Sequence, residues 1–160
     1  MADPHPPETI EDLAERLKPG DRLAGLDLGS KTIGIAVSDT LQQVATPHST
    51  IKRGKFARDA EALCRIIADN EIVAIVLGLP VNMDGSAGPR VQSTRAFARN
   101  LAPLIDIPVV YWDERLSTAA VERMLIEADA SRARRAELVD KLAAAYILQG
   151  ALDRLKALKA

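Results

Sequence analysis

The chain has one cysteine, Cys64, among 160 residues, so it closes no internal disulfide and is not a disulfide-stapled secreted scaffold. In its amphipathic helical context Cys64 reads as a small buried hydrophobe in a reducing compartment. No run approaches the roughly 18 apolar residues of a spanning helix. The start, MADPHPPETIEDL, is proline-rich and acidic where an export signal would be basic and then apolar. An excess of either charge is missing too: 21 basic side chains stand against 22 acidic ones, for a net charge of −1. The whole chain therefore sets up no strong field for nucleic acid or membrane, and any such role must come from local patches. The expectation is a soluble, cytoplasmic protein that does not engage a membrane.

With 48% apolar residues the chain can bury one domain's core. Residues 1–20 read as an N-terminal extension: a tail, then a short helix from Ile10 to Leu17 capped by Thr9 and stopped by Pro19-Gly20. Residues 21–160 read as a single domain. Three strands are expected at about 22–28, 32–38 and 44–52, joined by short polar connections as an antiparallel meander. A helix over about 55–70 and a buried strand in EIVAIVLGLP imply a crossover. A glycine-rich loop, NMDGSAG, leads to a helix over Pro89 to Leu101 and a strand in IPVVYWDE. A helix capped by Ser117 and a long helix from about 136 to 158 follow, with ASRARRAE at 130–137 as a surface link between them.

Within LAGLDLGSKTIGIAVSD, residues 23–39, alternation puts Leu26 and Leu28 on one face and Gly25, Asp27 and Gly29 on the other. Gly34 and Ala36 continue that stripped face, which reads as clearance for a phosphate backbone above Asp27. An acid in a central strand is expensive unless it binds something; the plainer reading is a turn cap or a pair with Lys31. Asp113 and Glu114 end a strand where open α/β sheets bind ligands. Asp140 lies in the first turns of the last helix and shares its small-residue face with Ala143, Ala144 and Ile147; stabilisation by the helix dipole is its plainer role. If the topology brings these carboxylates together, they need a hard divalent cation between them. Mg²⁺ suits all-oxygen ligands, and a pair of such ions can clamp an in-line phosphoryl displacement.

Four blocks occur in order: GLDLGSKTIGIAVSD, VLGLPVNMDGSAG, DERLST and LVDKLAAAYILQGALD. Together they resemble the YqgF family, also called RuvX, of RuvC-like nucleases, over roughly residues 21–156. The resemblance implies an α/β, RNase H-like fold with a five-stranded mixed sheet in order 3-2-1-4-5 and helices on both faces. It implies maturation of the 5′ end of pre-16S ribosomal RNA, with Holliday-junction resolution as the alternative, and a non-catalytic RNA-binding assembly factor as a third possibility. Site residues carried over are Asp27, Asp140 and one of Asp113 and Glu114, with Glu114 favoured for its reach; Asp27, Glu114 and Asp140 would hold Mg²⁺ or Mn²⁺. RuvC proper has an acid at the end of strand four, where this chain has LGLP.

Candidate substrate contacts are Lys31, Asn82, Asp84, Arg115, Arg132, Arg134 and Arg135, although Asp84-Gly85 also reads as a plain turn and most of the arginines as solvated surface. Tyr111 and Trp112 read as core packing rather than base stacking. The partner is nucleic acid, pre-rRNA or branched DNA, and monomer and homodimer both remain open. The Asp-x-Gly hairpin also occurs in actin-like ATPases and sugar kinases, but those clamp nucleotide between two domains of this kind, and 160 residues provide one.

Overall fold

The computed structural model describes residues 9–82, 84–113 and 132–159, with side chains from 142 onward in the last segment. Apolar runs form β1 (Arg22–Leu28) and β2 (Thr32–Ser38), and the more polar β3 (Ala45–Lys52) takes the edge of the sheet; each is antiparallel to the next. Helix α2 (Phe56–Asp69) carries the chain over the sheet to β4 (Ile72–Leu79), which lies parallel to β1 with Leu26 opposite Leu77. Helix α3 (Pro89–Leu101) and a short 3-10 turn lead to β5 (Val109–Asp113), parallel to β4. The strand order is β3-β2-β1-β4-β5, as the resemblance implies.

Each sheet face has its own core. On one side Leu26, Leu28, Ile33, Ile35, Ile75 and Leu77 pack against Leu63 of α2 and Phe97 and Leu101 of α3. Phe56 and Phe97 meet edge to face there, with centroids 5.6 Å apart. On the other side Leu23, Ala36, Ala74, Val76 and Val110 lie beneath α4 (Arg132–Lys159), through Ile147, Leu148, Ala151 and Leu152. The first helix, α1 (Ile10–Arg16), joins this second core: Leu13 is 1% exposed in it, with Ile10, Ala14 and Leu17 alongside. Thr9 caps α1 as expected and forms a reciprocal capping box with Asp12. Leu13→Ala is expected to cost about 2–5 kcal/mol, roughly 5–15 °C in melting temperature for a domain of this size; urea and thermal denaturation measure it.

The last helix departs from the sequence reading. It begins at Arg132, so the described part of ASRARRAE is helix and not a link. Ala, Arg and Glu are strong helix formers, and dense charge is compatible with a solvated helical face. Asp140 then stands well inside the helix, beyond the first turn to which the dipole effect is confined. Cys64 is half-buried, with its thiol 3.7 Å from the Leu104 carbonyl oxygen. The helix expected after Ser117 lies outside the described residues.

Candidate active site

Because β1, β4 and β5 are parallel, their carboxyl ends share one edge of the sheet. Asp27, next to last in β1, sits there half-buried and opposite Gly34 of β2. Alternation gives it the same side as Leu23, the side that α4 covers.

Two contacts fix how α4 crosses that side. At the amino end of β1 the Leu23 amide donates to Ser38 Oγ at 2.9 Å, and the amide of Ala45, the partner of Ser38, donates to Gln149 Oε1 at 2.9 Å. Further along, a Cβ built on Gly25 would lie 2.7 Å from Leu148 Cβ and 2.8 Å from the Ala144 carbonyl oxygen. The helix therefore runs antiparallel to β1. From Gly25 to Asp27 is about 6.6 Å of strand, and from Ala144 back to position 140 is about 6 Å of helix. Position 140 thus comes level with Asp27, on the helical side of Ala144. The first turns of α4, with Arg132, Arg134 and Arg135, extend roughly 12 Å beyond that level, past the edge that carries Asp27.

This geometry corrects the clearance reading. Gly25 makes room for α4, and Ala36, 0% exposed, is packed beneath the same helix. Gly29 closes the β1–β2 turn, its amide donating to the Thr32 carbonyl at 2.8 Å. Of the four small residues, Gly34 alone faces Asp27 directly across the strand pair.

Asp113 ends β5 and is exposed. Tyr111 packs with the α2–α3 core, while Trp112 packs on the α4 side, where its ring lies 3.0 Å from a Cβ built on Gly150. Alternation therefore gives Asp113 the side of Tyr111, across the sheet from Asp27. Glu114 and Arg115 lie outside the described residues, as do the side chains of Asp140, Arg132, Arg134 and Arg135.

Lys31 is exposed at the tip of the β1–β2 turn. Asn82 and Asp84 tie their own loop together: Asn82 Nδ2 donates to Ser86 Oγ at 3.0 Å, and Ser86 Oγ donates to Asp84 Oδ1 at 2.6 Å. Gly85 takes the positive φ of +87° that this turn requires.

One residue at this edge escaped the sequence reading. Arg53 follows β3, its amide donating to the Lys31 carbonyl at 2.9 Å and its guanidinium Nη1 to the Gly29 carbonyl at 2.7 Å. The adjoining Gly54 amide donates to both oxygens of Asp59, 3.1 Å each, and Asp59 is only 3% exposed. Its signal was an arginine-glycine pair at the strand end beside the Asp27 turn.

The donors predicted for this edge are carboxylates, which match Mg²⁺ or Mn²⁺ rather than a thiophilic ion. His48 and Cys64 are engaged elsewhere, with Ser49 Oγ and the Leu104 carbonyl. Among the described residues no three His, Cys, Asp or Glu side chains come together; of the predicted ligands, only Asp27 has its side chain described.

Comparison with known structures shows the fold. Thermus thermophilus RuvC in complex with a Holliday junction substrate superposes with a TM-score of 0.53 at 18% identity, over 84% of this chain and 95% of that one. The yeast mitochondrial Holliday junction resolvase superposes at 0.51 and 13% identity, over 92% and 86%. Sequence relatives are far nearer. A Ruegeria pomeroyi protein named "Putative pre-16S rRNA nuclease" is 62% identical over 149 residues, covering 93% of this chain and 97% of its own length. A Rhizobium rhizogenes protein of the same name is 60% identical over 150 residues, covering 94% and 92%. A family model described as "RuvX: Holliday junction resolvase" matches residues 21–154; with the ordered motifs and the 3-2-1-4-5 sheet, this shows that the chain belongs to the RuvX family.

Proposed function

We propose that this chain hydrolyses phosphodiester bonds in structured nucleic acid with a divalent metal, and that it matures the 5′ end of pre-16S rRNA in the cytoplasm. The observation that carries the reading is the close seating of α4 on Gly25, which brings position 140 level with Asp27 at the carboxyl edge of the sheet. Asp27 would hold the metal from a strand and Asp140 from a helix. Glu114 would be the third ligand, as the resemblance to the family implies. Asp113, across the sheet, is left to orient neighbouring groups. Bound Mg²⁺ or Mn²⁺ supplies Lewis acidity and activates water for in-line attack.

The names of the relatives favour ribosomal RNA as substrate. The description of the family model favours branched DNA as the second reading. Both are tested by incubating the purified chain with 5′-extended precursor 16S RNA and, in parallel, with a four-way DNA junction, in Mg²⁺, Mn²⁺ or EDTA. The expected result is a cut in the RNA near the mature 5′ end that EDTA abolishes. Cutting of the junction alone would move the function to DNA recombination, and metal-independent binding without any cutting would leave an assembly factor.

A further inference from the structure

A cleft of about 220 Å³ opens at the same sheet edge but on the α3 side, between the β1–β2 turn and the start of α3. Gly29, Ser30, Arg53, Arg90, Ser93 and Thr94 line it. We infer that this cleft is a second nucleic-acid contact, which grips one backbone phosphate of the strand whose neighbouring phosphodiester lies at Asp27. The inference rests on the nuclease reading above and adds the residues that hold the substrate on the far side of the β1 end.

Three observations carry it. The first is charge: two arginines line one small cleft, and among the described residues neither Arg53 nor Arg90 has a carboxylate within ion-pair distance. A cleft lined by two arginines that have no acidic partner there favours an anion, and phosphate matches the donor fork of a guanidinium. The second is preorganisation. Arg53 is held at three points: its own amide on Lys31, its Nη1 on Gly29, and the next amide on the buried Asp59 carboxylate. A guanidinium fixed along one edge presents its remaining N–H groups in a set direction, so little rotamer freedom is lost on binding. The third is placement: Gly29 stands two positions beyond Asp27 in the chain, about 7 Å in extended backbone. The start of α3, with Pro89 at its first turn and no side-chain cap at Gly88, adds the positive end of a 13-residue helix to the same opening.

The phosphodiester chemistry is common to RNA and DNA, so the test uses a tailed hairpin of one sequence made in each. Affinity is measured by fluorescence anisotropy in EDTA, across a range of salt, for wild type, Arg53→Gln, Arg53→Lys, Arg90→Ala and, as a control at the far end of α3, Arg99→Ala. Arg90→Ala and Arg53→Gln are each expected to weaken binding roughly 5- to 20-fold and to lower the slope of log affinity against log salt by about 1. Arg53→Lys should recover the slope but only part of the affinity, because an ammonium cannot bond the Gly29 carbonyl and a phosphate as a fork does. Arg99→Ala should change neither.

Arg90 is exposed and makes no hydrogen bond among the described residues through its side chain, so loss of binding in Arg90→Ala cannot be ascribed to unfolding. Wild-type affinity and salt slope in both Arg90→Ala and Arg53→Gln would overturn the inference while leaving the nuclease reading intact. Weakened binding in these variants of a protein that cuts nothing would sustain the phosphate contact and remove the catalysis. A wild-type chain that binds neither hairpin would remove both. Stronger binding of the RNA hairpin would assign the cleft to the ribosomal precursor, and stronger binding of the DNA hairpin to a branched substrate; either result supports the contact.

Discussion

Asp27→Asn is expected to lower metal-dependent cleavage by more than about 100-fold, since even an outer partner of a metal ligand is worth roughly 10–100-fold. Asn keeps the shape of Asp and one carbonyl oxygen but not the negative charge that a hard cation requires. The residue is half-buried at a strand end opposite a glycine, so the isosteric exchange leaves the packing of β1 and β2 in place. Circular dichroism should show the wild-type fold, and the hairpin should still bind through Arg53 and Arg90. A variant that loses cleavage, keeps its fold and keeps its RNA separates the metal site from the phosphate contact. In cells the same exchange should leave 16S precursors with extended 5′ ends, read by primer extension. Cleavage at the wild-type rate by a properly folded Asp27→Asn protein would remove Asp27 from the chemistry.

Gly25→Ala is the second large effect, and it acts from a distance. The added methyl would meet Leu148 Cβ at 2.7 Å and the Ala144 carbonyl oxygen at 2.8 Å. Both are fixed parts of a helix, so neither can swing aside as the tip of a flexible side chain would. Overpacking of this kind typically costs about 1–3 kcal/mol, or roughly 3–10 °C in melting temperature here. The helix must lift or slide, and position 140 moves with it. Activity should then fall further than stability does, by about 10- to 100-fold at temperatures where the protein remains folded. The matching change at Gly150 opposes only the edge of the Trp112 ring, at 3.0–3.2 Å. Gly150→Ala should therefore lower the melting temperature with a smaller loss of activity. Calorimetry beside initial rates, with Mn²⁺ titration to follow metal affinity, distinguishes the two.

The strands, α2 and α3 could be read from the sequence to within a residue or two, because alternation and helical spacing are local properties of burial. Their order in space is not local; it came from the motif order, and the pairing of β1 with β4 bears it out. The small-residue face was seen but assigned to the wrong occupant. A missing side chain shows that something lies close, yet only the packing reveals that Ala144 and Leu148 fill the gap at Gly25. Arg53 was passed over because an arginine at a strand end looks like any solvated charge until its bonds to Gly29 and Lys31 are known. Dense charge at 130–137 suggests a surface link, but the helix-forming character of the same residues carries more weight, so α4 includes Arg132 to Glu137. Alternation beside Tyr111 and Trp112 gives Asp113 the side of the sheet opposite Asp27, while Glu114 lies outside the described residues.

α4 closes one core of the sheet, yet it is the last of the described elements to be synthesised. All five strands precede it in the chain, so when they have been made Leu23, Ala36, Val76 and Val110 still lack the cover that α4 gives them and have only α1 beside them. In the proposed site the strand acid is made first and the helix carboxylate comes with α4, so the metal centre is completed by a segment that follows every strand of the sheet.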